Sequence, residues 1–573
     1  MLGYYDLTYM SMINLITNYF YFLSQYALIY GYFLLAGRSF LIILDKFFYK
    51  ETKFPDKIFN INKILIYPII GLIFVGNFLV LINYFLPLKS NYVYVLLLLL
   101  LLPNIFNVNL TFKFKFFNII NYLLIPGILI ISTFDIPFHY DAGYYHLNTQ
   151  NWLRESNLIM GFVNIFWPFG MSSISEYLSS VLWFQNDFVY LHFINIIFIQ
   201  FFYQFLFTTY TSSKNNSLKN ISFFIIIFSI FDNFGFSGGR NGYFYIQGVG
   251  KQDVPVAILF LFMSVSLLIF IQNKKISRAE LILLPMISFF IFQMKVSSAI
   301  IFTLYVFLLA ILFKSGQFSF KEIIYSNLPT FLISLIWFLK NFLTTGCLIF
   351  PLSLTCRNSF DWYIPKSTQG FESVTKESSL YFDRSQYSFS EWVNFTMSID
   401  LNKTIVFNFI ISATILYLIK VFLFSKSNNS LSFKAIAFSY LTINILFLIF
   451  FGPVPRYAIG IVMTAVALFG LFSAEPKIKI NQKVFICMLV LSVVLLIRIS
   501  SYNAYFNNDE LFLFNPEEDI EINSQIGFTN YNENWVYPST GDQCWINIKC
   551  SMAKSNIIIN EEGFFKTAYK AKS

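Results

Sequence analysis

Long apolar runs alternate with shorter polar stretches along the chain. The runs lie near 22–44, 65–87, 92–108, 117–134, 188–210, 221–236 and 253–272, then 281–294, 296–313, 325–345, 403–424, 435–451, 457–473 and 484–500. A helix needs about 20 apolar residues to cross the hydrocarbon core. The pattern therefore predicts an all-α polytopic membrane protein with about 14 (12–14) transmembrane helices, the pair 281–313 also reading as one broken helix. The first run is long and has no basic segment before it, so no cleavable secretory signal is expected.

The loops between the runs differ in charge. Those at 46–64, 109–116, 211–220, 273–280, 314–324, 425–434 and 474–483 carry 19 Lys/Arg in 76 residues, against 5 acids. The others (88–91, 135–187, 237–252, 346–402 and 452–456) carry 9 in 135. Cytoplasmic loops hold the excess of Lys and Arg, so the second set is expected outside, facing the periplasm or exterior of a bacterial inner membrane. The net charge of +9 and pI near 9.0 then report orientation, not a polyanion site, and no nucleic-acid partner is expected. Composition agrees: 57% of residues are hydrophobic and 12% charged, with mean hydropathy +0.62, against about 25% charged in soluble domains. The 21% aromatic content is mostly Phe and fits an AT-rich coding sequence, so it signals no stacking platform. No internal repeat is visible, and the natural divisions are 1–134, 135–500 and a polar tail, 501–573. Four cysteines fall outside as two close pairs, Cys347/Cys356 and Cys544/Cys550, which can form disulfides in an oxidising compartment. Cys487 lies within a span and reads as core.

Polar side chains at the outer boundary carry the candidate chemistry. The first long outer loop contains His139, Asp141 and His146, and Tyr145, Asn148 and Trp152 follow Asp141 at helical spacing. This predicts a short amphipathic helix on the membrane surface holding an acid, two imidazoles and aromatic rings. Helix capping is the plainer role for Asp141, and metal binding by His139, Asp141 and His146 lacks a further ligand at recognisable spacing. No metal or other cofactor is required, though the chemistry leaves room for a divalent ion. The glycine-rich segment Gly235–Asp253 brings Arg240 and Lys251 but is not a phosphate-binding Walker loop, because Gln252 follows Lys251. Asp253, two residues before Pro255, stands at the start of a span, where capping again competes. Lys295 interrupts 281–313, Lys340 lies in the outer part of a span, and Arg456 sits in the turn before 457–473. Cations in these positions oppose the orientation rule, so each needs a local partner such as a lipid phosphate or an ion pair.

Several short segments in a fixed order (Tyr140–His146, Gln252–Pro255, Lys295–Ser297, Gly346–Pro351, Asp361-Trp362, Pro455–Tyr457 and Gly541–Trp545) resemble the GT-C superfamily of membrane glycosyltransferases. That superfamily includes protein O-mannosyltransferases and lipid A aminoarabinose transferases. The chain is more similar still to a group of largely uncharacterised bacterial polytopic proteins near them. The resemblance implies a GT-C-like core with a catalytic Asp in the first outer loop, carried here onto Asp141. It also implies a polyprenyl-phosphate-linked sugar as donor and a glycan, lipid or protein as acceptor. Four spans before that loop, and Ala142 where the mannosyltransferases carry a second acid, depart from the pattern. On this reading Asp141 is general base in an inverting single displacement. Arg456, Lys295, Lys251 and Lys340 bind the donor phosphate, while Asp253, His146, His139, Tyr145 and Trp152 contact substrate. An O-antigen-type polymerase or ligase and a transporter or flippase are the competing classes. A transporter would favour polar groups at mid-membrane and an internal repeat.

Overall fold

The structure, a computed structural model, describes residues 2–48, 54–105, 116–184, 188–234, 244–378, 388–427, 429–451, 455–478, 480–507, 528–530, 535–552 and 557–570. It is mostly helical, as the apolar runs predict.

Among the described residues, ten helices are long and apolar enough to cross a membrane: Leu15–Phe48, Lys63–Asn83, Phe117–Phe134, Val189–Ser212, Asn216–Phe234, Asp253–Asn273, Val296–Lys314, Phe320–Thr345, Asn402–Leu423 and Leu431–Phe450. The count reaches eleven if Gln482–Leu496 and Ile499–Phe506, bent by 83° at their junction, are taken as one span. The other expected spans fall on short elements. Arg278–Met294 has 17 residues and stops where Lys295 turns extended. The run at 92–108 becomes Asn91–Leu99 followed by a 3₁₀ turn at Pro103, and 457–473 becomes Ile459–Leu471. Hydropathy continues through these breaks while the helix does not.

Burial separates the middle of the bundle from its rim. All of the most apolar window of Asp253–Asn273 is buried and 94% of that of Val189–Ser212, against 17% in Phe320–Thr345 and in Asn402–Leu423. The last two present Leu, Ile and Phe outward, as a lipid-facing helix must. Lipid tails are as apolar as Leu, so close backbone approach and polar contacts hold such helices together. Both occur. Leu2–Phe48 meets Lys63–Asn83 at Gly37 and Gly71, where an added Cβ would lie 1.9 Å from Tyr67 O and from Phe33 O respectively. Gln293 Nε2 donates to Asn77 Oδ1 at 2.7 Å, and the backbone N–H of Phe59 donates to Glu280 Oε1 at 2.7 Å. These contacts tie the first two helices to each other and to the rest of the bundle.

A cap covers one face, assembled from three distant parts of the chain. Leu343 O accepts from Gly161 N, and Trp362 O accepts from Asn164 Nδ2. The antiparallel hairpin Ile557–Asn560 with Thr567–Lys570, in register Ile557↔Lys570 to Asn560↔Thr567, then binds Met160 from both sides through Met160 N→Lys566 O and Ala568 N→Met160 O. Both expected disulfides, Cys347–Cys356 and Cys544–Cys550, are formed in this cap. Cys487 is not core. It faces outward from Gln482–Leu496, on the side opposite Phe485 and Leu489.

Candidate functional site

Two loop segments pair before any side-chain chemistry begins. Pro137–His139 runs beside Gly248–Gly250, with Val249 N→Pro137 O at 3.0 Å and His139 N→Val249 O at 3.1 Å. Gly250 has φ +84°, and a Cβ there would lie 2.8 Å from the Cβ of Ala142. Only glycine permits this approach, and it delivers Lys251 to the first loop.

Lys251 Nζ donates to Asp141 Oδ2 at 2.6 Å. Asp141 therefore does not act as a cap, and its side chain accepts no N–H from the helix that follows. Burial alone would raise its carboxyl. The Lys251 ammonium outweighs that and holds it below the ordinary carboxylate range. Lys251 is itself held below the usual lysine range, by burial and then by the nearby Arg456 guanidinium, with Asp141 opposing. His139 Nδ1 accepts the backbone N–H of Asp141 at 3.0 Å, so that nitrogen carries no proton. Its 3.5 Å approach to Asp141 Oδ2 is consequently not an ion pair. Burial and the Lys251 charge push the imidazole down to about 4, so it is neutral near pH 7.

The second half of the cluster starts one turn further on. Gln247 Oε1 caps the helix Asp253–Asn273 by accepting from Val254 N at 2.9 Å, which leaves the buried Asp253 carboxylate free for other partners. It pairs with Lys295 through Oδ1, and Arg456 Nε stands 3.9 Å from Oδ2. The Lys295 ammonium also lies 3.7 Å from the centroid of the Tyr457 ring. Asp253, Lys295, Arg456 and Tyr457 form the polar end of a cavity of about 550 Å³, its open mouth included. The remaining wall is largely apolar, with Phe260, Phe447 and Ile461 among its members. Charged and apolar residues in one wall suit an amphiphile.

A third group, unforeseen from the sequence, centres on Glu176. Its buried carboxylate pairs with His146 Nδ1 and accepts Gln150 Nε2 at 2.7 Å and Gln252 Nε2 at 3.3 Å. This contact fixes the orientation of the buried His146 ring. The Tyr145 ring lies tilted against that of His146, with ring centroids 4.1 Å apart. Burial holds its phenol far above the ordinary range, reinforced by the charges of Asp141 and Glu176.

Asp141, Lys251, Asp253, Lys295, Arg456, His139, His146 and Tyr145 thus belong to one neighbourhood. Lys340 and Trp152 do not, contrary to their expected roles at the donor phosphate and the substrate. Both line a different cavity, because the helix Phe320–Thr345 meets Ser172 and Tyr177 and not the Lys251 segment. Trp152 packs against Phe162 and Trp535. Nor is the helix after Asp141 a surface element with one wet face. A π turn, Ala142–His146, leads into Leu147–Glu155, and the tail covers its outer side through Trp545 N→Gly143 O at 2.9 Å and Asn148 Nδ2→Asn547 O at 2.6 Å. Arg240 lies outside the described residues, and among those described no three His, Cys, Asp or Glu side chains gather closely enough to hold a metal ion.

The fold and this cluster define the class: a polytopic helical membrane protein with a charged pocket. The chain belongs to a family described as a domain of unknown function (DUF8201), which matches residues 18–463. No curated protein and no solved structure matches it.

Proposed function

We propose that this protein is a GT-C-type glycosyltransferase of the bacterial cytoplasmic membrane, moving a sugar from a polyprenyl-phosphate donor to an acceptor hydroxyl on the outer side. One observation supports this reading above the others. A carboxylate in the first outer loop, Asp141, is bound by Lys251 beside a cavity whose polar end holds Asp253, Lys295 and Arg456.

The donor's polyprenyl chain occupies the apolar wall and its phosphate meets Arg456, Lys295 and Lys251. The acceptor oxygen attacks the anomeric carbon from the opposite side, its proton passes to Asp141, and the phosphate leaves with the bonding electrons, inverting the centre. A carboxylate held low by Lys251 is a weak base at rest. Donor phosphate engages that ammonium and lets the carboxylate recover basicity as substrate arrives. The same cations then stabilise the charge growing on the departing phosphate. Asp253 keeps Lys295 and Arg456 in place, and Glu176 fixes His146 for contact with sugar hydroxyls.

The test is a reconstituted assay with radiolabelled polyprenyl-phosphate sugar and a crude envelope acceptor fraction. Asp141→Asn is expected to insert normally and transfer nothing. Arg456→Ala is expected to raise the donor KM more than the acceptor KM. Full transfer by Asp141→Asn would refute the base assignment.

A further inference from the structure

The hairpin near the C-terminus turns through Glu561–Lys566, and its two phenylalanines meet different surroundings. Phe565 packs edge-on against the ring of Tyr84, with centroids 6.4 Å apart. Tyr84 is itself buried, and its hydroxyl donates to Ile336 O at 2.8 Å. Phe564 packs edge-on against Phe85 at 6.2 Å, yet it is 64% exposed and Phe85 58%. The turn between the strands is braced: Asn157 Nδ2 donates to Phe564 O at 3.1 Å, and Lys566 Nζ pairs with Glu561 at 2.6 Å. A braced turn thus displays an uncovered aromatic pair.

What covers the pair follows from where Phe85 stands. Lys63–Asn83 has 21 residues, about 31 Å of helix, which matches the hydrocarbon thickness of about 30 Å. Each end of this span therefore lies near a lipid–water boundary. Phe85 is just past one end, its N–H donating to Ile82 O at 2.9 Å. Leu81, one turn back, is exposed too, so Phe85 continues the stripe that this helix turns to lipid. A few residues on, Lys89 pairs with Glu155 at 2.9 Å, and Asn91–Leu99 then presents Tyr92, Val95 and Leu98 outward. The chain leaves lipid near Phe85, reaches water at Lys89 and turns back into apolar surroundings. Aromatic side chains collect at that level, and exposed apolar patches beside it mark membrane contact.

We propose that the hairpin tip is a lipid anchor for the cap: Phe564 enters the interfacial layer of the bilayer beside Phe85, while the strands grip Met160. Phospholipid is the partner, and the tail is fastened to the bilayer at a point far from the last span in sequence. This anchoring does not rest on the transfer reaction.

The experiment places a nitroxide at Phe564→Cys in the full-length protein, with Cys487→Ser removing the free thiol, in nanodiscs of phosphatidylethanolamine and phosphatidylglycerol. Oxygen, which concentrates in lipid, is expected to relax this label more than a water-soluble nickel chelate does. A label at Thr540→Cys, exposed in a polar turn of the same tail, should show the reverse. Greater relaxation by nickel at position 564 would overturn the proposal. So would spin–spin broadening that appears only with two copies per disc, which would assign the patch to a second copy of this chain. Hydrogen exchange over 557–570 gives an independent reading. Phe564→Asp should quicken it about tenfold, the loss of roughly half the burial of a phenylalanine. Phe564→Leu, which stays apolar, should leave it within a few-fold of wild type. Equal exchange in the two variants would also overturn the anchor.

Discussion

Lys251→Met deletes an ammonium and keeps its stem, so it isolates the electrostatics of the Asp141 pair. The two charged atoms are 2.6 Å apart, with 8% of the lysine side chain and 20% of the aspartate exposed. Removing one partner of a buried pair costs about 3–5 kcal/mol. Water reaches Asp141 and Arg456 remains near it, so the lower end, about 3 kcal/mol, applies at neutral pH. Its dependence on pH follows from the carboxyl. In the wild type the folded-state carboxyl titrates below its unfolded value, so its contribution is complete above the ordinary carboxylate range and is lost as pH falls through the depressed value. Without Lys251 burial is the largest influence left, and the carboxyl rises above its unfolded value. Its contribution is then present below the unfolded value and lost as pH rises through the new one. The deficit of the variant is therefore about 3 kcal/mol near pH 7.5, shrinks as pH falls through the variant's raised value, and closes only below the depressed value of the wild type. Lys251 is itself held at a cost, by burial and by Arg456, which trims the deficit without altering its slope in this window. Hydrogen exchange read by mass spectrometry over 137–147 and 247–253 checks it. Protection should fall about hundredfold near pH 7.5, and by a clearly smaller factor near pH 4. A deficit of the same size at both pH values would refute the pairing of these two charges.

Glu176→Gln should lower stability by about 1–3 kcal/mol, because an amide cannot accept from His146, Gln150 and Gln252 together; thermal unfolding in detergent measures it, and an unchanged midpoint would refute the network. Replacing Cys544 and Cys550 together by Ser should loosen the cap by about 2 kcal/mol, the bridge closing a short loop. Exchange should quicken in 143–151, which Trp545 and Asn547 pin, and stay unchanged in Asp253–Asn273.

The membrane class was legible because apolar runs of spanning length have few other uses. Fewer helices of spanning length stand among the described residues than there are apolar runs, because hydropathy does not register where a helix stops at Lys295 or gives way to the turn at Pro103. Asp141, Lys251, Asp253, Lys295 and Arg456 stood out as charges in places where lipid gives no reason to keep them. Glu176 could not be found that way. It follows Ser173 at the spacing of a capping box, as Glu280 follows Ser277, Glu322 follows Ser319 and Glu391 follows Ser388. Those three do cap their helices, while Glu176 reaches to His146 instead. Only tertiary contact separates the fourth instance from the rest. Lys340 and Trp152 were singled out for sound reasons, yet sequence carries no distance, and their shared cavity lies away from Asp141.

The hairpin Ile557–Lys570 and the Cys544–Cys550 turn sit on a loop made some 400 residues earlier, as the Asn148–Asn547 and Asn164–Ala568 contacts record. During synthesis the first loop therefore waits, unroofed, until some 400 further residues have been made. Chains that stop short of the hairpin would carry every charge of the pocket and still lack the cover over the loop that holds Asp141.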